Sequence, residues 1–178
     1  MSPRVLLDSQ ALYHTMNRLS YELIENYNDF ENTVIISLQP RGVFLGTRIA
    51  QLLEEKVGKN IEHGLLDITF FRDDFRRSDR PLEPNKTDIN FLIEGKKVVL
   101  IDDVLYSGRS VRSGMDALLA YGRPSQVELL VLIDRRYTRH LPITPNYVGR
   151  VVDTMHNERV SVEWSETEGE DKVLLYTK

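Results

Sequence analysis

Residues 98–110 read VVLIDDVLYSGRS. Val98, Val99, Leu100 and Ile101 run straight into two adjacent carboxylates, Asp102 and Asp103. A Ser107-Gly108-Arg109-Ser110 turn follows, and then a helical pattern opens. An apolar run ending in acids and a small-residue turn reads as a buried parallel strand. Such a strand delivers polar groups to the carboxyl edge of a sheet, where open α/β sheets bind ligands. The turn's backbone N–H groups and the positive end of the next helix suit a phosphate. The two acids suit vicinal hydroxyls or a hydrated Mg²⁺. Together they point to a sugar phosphate. Ser-Gly-Arg-Ser alone reads as an ordinary capped turn beside solvated acids. The ligand reading rests on finding a Gly, two hydroxyls and two acids at one strand–helix junction.

The flanking sequence repeats the alternation. Asp8 or Ser9 caps an expected helix to about Tyr27, with Leu12, Met16, Leu19, Leu23 and Ile24 on one face. Thr33 to Leu38 reads as a buried strand, Gly42 to about Val57 as a helix, and Ile61 to Phe71 as an alternating strand. Lys97 to Ile101, Val111 to Tyr121 and Val127 to Ile133 read as strand, helix and strand, and Val160 to Trp164 and Val173 to Tyr176 as short strands. The fold class is α/β, with a central, mostly parallel sheet flanked by helices. The 178 residues fit one domain, 1–178.

Composition narrows the function. A net charge of −4 gives no global basic field to gather nucleic acid. Cysteine is absent, which excludes disulfides, thiolate metal sites and a cysteine nucleophile. His14, His63, His140 and His156 are scattered and form no metal or triad pattern. The N-terminus lacks a signal-peptide apolar core and no apolar run approaches membrane-spanning length, so a soluble cytoplasmic protein is expected.

Two loops and one patch remain. In Gln39-Pro40-Arg41-Gly42, Arg41 suits a phosphate and Gly42 lets backbone approach it, although both also fit an ordinary surface turn. Residues 72–93 are charged, hold two prolines and form a long loop, the mark of a lid or binding loop. Arg135, Arg136 and Arg139, with His140, make a local basic patch that Arg18 and Arg48 could extend: a solvated face, or a grip for RNA.

The stretch from Asp102 to Ser110 resembles the ribose-5-phosphate loop of type I phosphoribosyltransferases, which use phosphoribosyl pyrophosphate (PRPP). Asp103 to Arg112, continuing with Gly122-Arg123-Pro124-Ser125, resembles the bifunctional pyrimidine operon attenuator/uracil phosphoribosyltransferase family. The likeness extends, with interruptions, from about Leu6 to Gly149 and then fades.

The resemblance implies a type I phosphoribosyltransferase fold with a small hood, the flexible loop of about 72–93. It implies an enzyme that joins uracil to PRPP, with Mg²⁺ carried mainly by PRPP oxygens and water. Asp102 and Asp103 would hold ribose hydroxyls or the hydrated ion. Val104, Leu105, Tyr106, Ser107, Gly108, Arg109 and Ser110 would complete the PRPP loop. Arg41, Gly42 and Arg72 would receive pyrophosphate. Asp134, Tyr147 and Val148 would meet the base, Tyr147 by stacking and Val148 through its backbone. Purine members carry an acid at the position of Tyr106 and a Lys near Asp134, so this chain favours a pyrimidine. Uridine nucleotides, pyrimidine-operon leader RNA and a homo-oligomer, dimer or higher, are the implied partners. The alternatives are an RNA-binding attenuation regulator with weak catalysis, and a purine phosphoribosyltransferase.

The pattern also breaks. Family members commonly read Asp-Arg-Gly-His-Arg-Glu-Leu-Pro-Ile-Arg after the last core strand. Here Asp134 to Thr144 carries one inserted residue and ends on Thr144. In the first helix Asn17-Arg18 stands where a Thr-Arg pair is common, and Tyr21 replaces a His. These departures fall on the surface associated with RNA, not in the PRPP loops.

Overall fold

A computed structural model describes residues 3–74, 84–155 and 157–177. The middle of the long loop, residues 75–83, and His156 lie outside them. The main sheet has five parallel strands in the order β3-β2-β4-β5-β6. These are β2 (Thr33–Leu38), β3 (His63–Leu66), β4 (Lys97–Leu105), β5 (Gln126–Arg136) and β6 (Tyr147–Asp153). Every residue of β2 is buried, as its unbroken Val/Ile/Leu-rich run requires for a strand covered on both faces.

Helix α1 (Ser9–Tyr27) starts where the Asp8 side chain accepts the Ala11 N–H at 2.8 Å, satisfying one otherwise orphaned donor. It buries Leu12, Met16, Leu19 and Leu23. Helix α2 (Gly42–Val57) buries Leu45, Ile49 and Leu53 and stops at Gly58, whose φ of 75° is left-handed and suits glycine. These two helices share one core with Val99, Ile101, Leu130 and Leu132. Helix α3 (Arg109–Leu118) packs Val111, Ala117 and Leu118 with Val98, Leu100 and Val131 in a second core.

A second, antiparallel sheet has the order β1-β8-β7, made of β1 (Arg4–Leu7), β7 (Glu158–Glu163) and β8 (Lys172–Thr177). Helix α4 (Ser165–Glu168) joins β7 to β8. Leu6, Val160, Val162, Trp164 and Val173 enter the α1–α2 core. Arg48 of α2 reaches Asp171 at 2.6 Å and Glu166 at 2.8 Å, tying this sheet to the main body.

Several boundaries differ from the sequence expectation. The strand expected over Ile61 to Phe71 is only His63–Leu66, followed by a 3₁₀ turn at Thr69–Phe71. Side chains break it: Thr87 Oγ1 accepts the Asp67 N–H, and the Thr69 hydroxyl donates to Asp67, replacing ladder bonds. Strand β4 runs through Leu105, paired with β5 at Asp102↔Val131 and Leu105↔Asp134, so both acids are strand residues. Strand β5 likewise continues to Arg136. Beyond the long loop alone, a small sheet built from both ends of the chain stands beside the main one. Of the loop, Leu65 and Asp88 exchange two backbone hydrogen bonds of 2.8 Å, so its later part is tied to the edge of β3. Among the described residues no helix is long and apolar enough to cross a membrane.

Candidate active site

The carboxyl ends of β2, β4 and β5 bring three loops together. Asp102 and Asp103 are both buried. Asp102 Oδ1 accepts the Asp103 N–H at 2.9 Å and Asp103 Oδ1 accepts the Val104 N–H at 2.7 Å. Burial, and then the charge of Asp103, push the Asp102 carboxyl well above its usual range. Burial raises Asp103 too, and the Arg41 guanidinium, 3.3 Å away, opposes that rise. Two acids in this state accept a proton readily and welcome hydroxyl donors or a cation.

Arg41 stands just before α2. Its Nε donates to Asp103, Nη2 donates to the Val162 carbonyl of β7, and Nη1 lies 3.8 Å from Glu168 Oε1. Gly42 follows, and a Cβ there would sit 2.6 Å from the Ile101 carbonyl oxygen and 3.1 Å from Asp102 Cα. Only glycine lets the start of α2 press against the acid strand.

The turn after β4 forms a cup. Gly108 adopts φ 90° and leads into α3 at Arg109. Here too glycine fits: besides the left-handed backbone, a Cβ would meet Ile143 at 3.2 Å. The Ser107 carbonyl accepts the N–H groups of His140 and Leu141 at 3.0 and 3.2 Å, so segment 140–143 buttresses the turn. A cavity at the start of α3 is lined by Asp102, Val104 to Gly108, Ser110 and Val111. A second cavity lies beside it between Arg72, Asp73, Asp74, Tyr106, Ser107, Arg109 and Ser110. Arg109 pairs with Asp73, and Arg72 with Asp74 at 2.6 Å. The structure therefore gathers Arg41, Gly42, Arg72, Asp102, Asp103 and the whole 104–110 turn. Among the described residues no three His, Cys, Asp or Glu side chains cluster to hold a metal ion.

The base side is arranged differently from expectation. Asp134, level with Leu105, is paired with Arg139, which also donates to the Tyr106 carbonyl. A cation thus returns to the place where Asp134 replaces the purine enzymes' Lys, though its donors are engaged. Tyr147 does not reach the loops. It opens β6 level with Leu130, is buried, and its hydroxyl donates to Glu128 at 2.7 Å and accepts from Asn26 at 3.0 Å. Burial and the Glu128 contact raise its pKa. Its backbone stands in the row of Leu130 and Ile101, one residue short of the Asp102 row, but its ring turns back toward Asn26 and Glu128, near the amino ends of β4 and β5. Val148 gives its carbonyl to Arg18 at 3.1 Å.

The basic patch is also not as expected. Arg135 is 7% exposed, because β5 extends past its apolar run and Thr154 and Glu158 cover it. It donates to Thr154 Oγ1 at 3.1 Å and the Glu158 carbonyl at 2.8 Å, and lies 4.3 Å over the Tyr106 ring. Arg139 turns inward, Arg136 pairs with Asp153 at 2.6 Å, and Arg18 pairs with Glu22 and caps the Val148 and Gly149 carbonyls. Sequence reasoning does not single out Thr154 and Glu168, and it assigns Arg135 to the basic patch instead of the underside of Tyr106. Their signal lay in strand β5 running on beyond its apolar core and in a C-terminal segment with no local motif.

The phosphoribosyl transferase domain family matches residues 4–167. The chain is 43% identical over 176 residues to the bifunctional protein PyrR of Bacillus cereus (strain AH820), covering 98% of this chain and 97% of that protein. The same figures hold for the bifunctional protein PyrR of Bacillus thuringiensis subsp. konkukian (strain 97-27). Among solved structures it is similar to the hypoxanthine phosphoribosyltransferase of Trypanosoma cruzi, with TM-score 0.74, 14% identity, and 98% and 96% of the two chains covered. The HGPRT-ase of Leishmania tarentolae in complex with GMP gives TM-score 0.74 at 15% identity, covering 100% of this chain and 98% of that one. At such identities these structures speak for the fold alone.

Proposed function

Because the chain belongs to the phosphoribosyl transferase family, in its bifunctional PyrR branch, we propose that it is a uracil phosphoribosyltransferase that also regulates pyrimidine genes. The observation that carries the catalytic half is the buried Asp102–Asp103 pair on β4 running directly into the Gly108 cup. Uracil and PRPP give uridine monophosphate and pyrophosphate. The bond from ribose C1 to pyrophosphate oxygen breaks, a bond from C1 to the uracil ring nitrogen forms, and that nitrogen's proton is released.

The 5′-phosphate lies in the cup, against the first N–H groups of α3 and the Ser107 and Ser110 hydroxyls. Asp102 and Asp103 orient the ribose hydroxyls. Two adjacent carboxylates also fit a hydrated Mg²⁺ shared with PRPP oxygens, and the ion, when bound, offsets charge on the departing pyrophosphate. Arg41 and Arg72 receive pyrophosphate. Catalysis is then mostly positioning and charge stabilisation. The uracil ring sits on the β5 side of the cup, beside Tyr106, which Arg135 backs from below.

For the regulatory half, leader RNA of pyrimidine operons is the proposed partner, and its contacts come from elsewhere than Arg135, which is buried. A homo-oligomer is the proposed assembly, with exposed Met115 and Leu119, one turn apart at the end of α3, available to it.

The deciding experiment is PRPP-dependent pyrophosphate release with uracil, hypoxanthine and guanine, with and without Mg²⁺. Uracil should lead in kcat/KM and require Mg²⁺. A preference for either purine overturns the assignment.

A further inference from the structure

Arg41 is more fully engaged than a residue kept only for pyrophosphate needs to be. Asp103 and the Val162 carbonyl hold two of its nitrogens by hydrogen bonds, and Glu168 stands at the third, 3.8 Å away. Of the three partners, Glu168 makes the loosest contact and is the one an incoming anion displaces most readily. Glu168 is itself held in place. Its Oε2 accepts the Trp164 N–H at 2.9 Å and the Thr167 hydroxyl, which leaves Oε1 facing Arg41. Those hydrogen bonds and the Arg41 charge keep its carboxyl below the usual range, so it is ionised at neutral pH. Its backbone is anchored in turn, because neighbouring Glu166 and Asp171 pair with Arg48. A fixed negative charge is thus aimed at the guanidinium that joins Asp103 to the terminal sheet.

We propose that Glu168 is a positioning residue that contends with pyrophosphate for Arg41, holding the guanidinium in the empty site and reclaiming it as the product leaves. The inference rests on Arg41 being a pyrophosphate contact. Glu168 touches no reacting atom. Its effect is to loosen retention of a highly charged anion, by repulsion and by offering Arg41 an alternative partner.

Calorimetric titration of the whole protein with sodium pyrophosphate in MgCl₂ tests this without relying on turnover. Glu168→Gln keeps the side-chain shape and an oxygen for the Trp164 N–H, and should tighten pyrophosphate binding about two- to fivefold, the scale of one partly exposed ion pair. Damage to the fold would weaken binding, so a gain in affinity separates the proposed role from a structural one. Glu168→Asp, which withdraws the carboxylate by one methylene, should move affinity the same way by less, and serves if the Gln variant fails to fold. Glu170→Gln, which removes a nearby carboxylate that pairs with Lys172 and touches neither Arg41 nor Arg48, should leave affinity unchanged. Unchanged or weaker binding in the folded Glu168 variants overturns the proposal. Arg41→Gln distinguishes the underlying reading: a loss of about tenfold or more upholds Arg41 as the contact, whereas no loss removes Arg41 and this inference with it.

Discussion

Gly42→Ala tests whether α2 and the acid strand share one tight seam. The added methyl carbon would lie 2.6 Å from the Ile101 carbonyl oxygen, 3.1 Å from Asp102 Cα and 3.4 Å from Asp102 Oδ1. Carbon–oxygen contacts are comfortable from about 3.3 Å, so the first turn of α2 has to lift by roughly 0.7 Å. The two closest obstructing atoms are backbone, so no rotamer change relieves the clash. Overpacking of this kind costs about 1–3 kcal/mol, offset by up to about 1 kcal/mol from replacing a helical glycine with alanine. The net loss should be about 1–2 kcal/mol in urea unfolding. Activity should suffer more, since Arg41 rides on the same turn and faces Asp103 at 3.3 Å. Displacement on this scale near reacting groups costs about 10–100-fold in kcat/KM for PRPP. Gly58→Ala is the control: its φ of 75° strains alanine, but nothing lies within 4 Å of the new Cβ, so stability falls and kcat/KM does not. If Gly42→Ala unfolds and turns over like the parent, the seam does not position the site.

Asp102→Asn should raise Tm by a few degrees at pH 7 while sharply weakening PRPP binding by calorimetry. The Asp102 pKa is raised in the folded state, so its contribution is most favourable below the ordinary value of 3.8 and is lost as pH climbs through the folded pKa; a lower Tm would contradict this. His63 is shifted the other way by burial, from 6.5 downward. Its unfolded form gains a proton first, so stability should decline as pH falls below about 6.5, and His63→Gln should flatten that decline in urea midpoints measured from pH 7.5 to 5. Arg135→Ala should lower Tm and leave RNA affinity unchanged in filter binding, because the guanidinium is buried against Tyr106, Thr154 and Glu158. Leader RNA binding lost in a folded Arg135→Ala variant would restore it to an RNA surface.

Much of the site was legible because its residues are consecutive. Helix α1, β2 and α2 fall at the expected bounds, since long apolar faces and fully buried runs leave one period that fits. The acids and the phosphate turn stand within nine residues, so no pairing between distant segments had to be guessed. The base side required such pairing. Whether Tyr147 reaches the loops depends on the register of β6 against β5 and on which way its ring turns; Tyr147↔Leu130 sets it level with Ile101, and Asn26 and Glu128 draw the ring away from the loops. Register in a sheet buried on both faces leaves no alternation to read. Arg135 was obscured similarly: a charged residue after an apolar run looks like loop, and only the cover from Thr154 and Glu158 makes it a strand residue.

The terminal sheet shows why the fading of family likeness after Gly149 concealed part of the site. Strand β1 pairs with β8 through Arg4↔Leu175 and Val5↔Leu174, so each strand is completed by the far end of the chain. A four-residue strand and a charged C-terminal segment carry little local signal, and burial of Leu6, Val162, Trp164 and Val173 offsets the entropic cost of closing that long loop. Once closed, the sheet places the Val162 carbonyl and Glu168 against Arg41, and Asp171 and Glu166 against Arg48, about two turns along α2. The amino end of α2 is then held from two sides: Gly42 against β4, and Arg41 against β7 and α4. The Val162 carbonyl, which holds Arg41 without adding a charge, lowers the freedom lost when pyrophosphate arrives, whereas Glu168 opposes the anion. The terminal sheet therefore stands against the proposed pyrophosphate contact, and changes that move the Val162 carbonyl should alter PRPP and pyrophosphate affinity as well as stability.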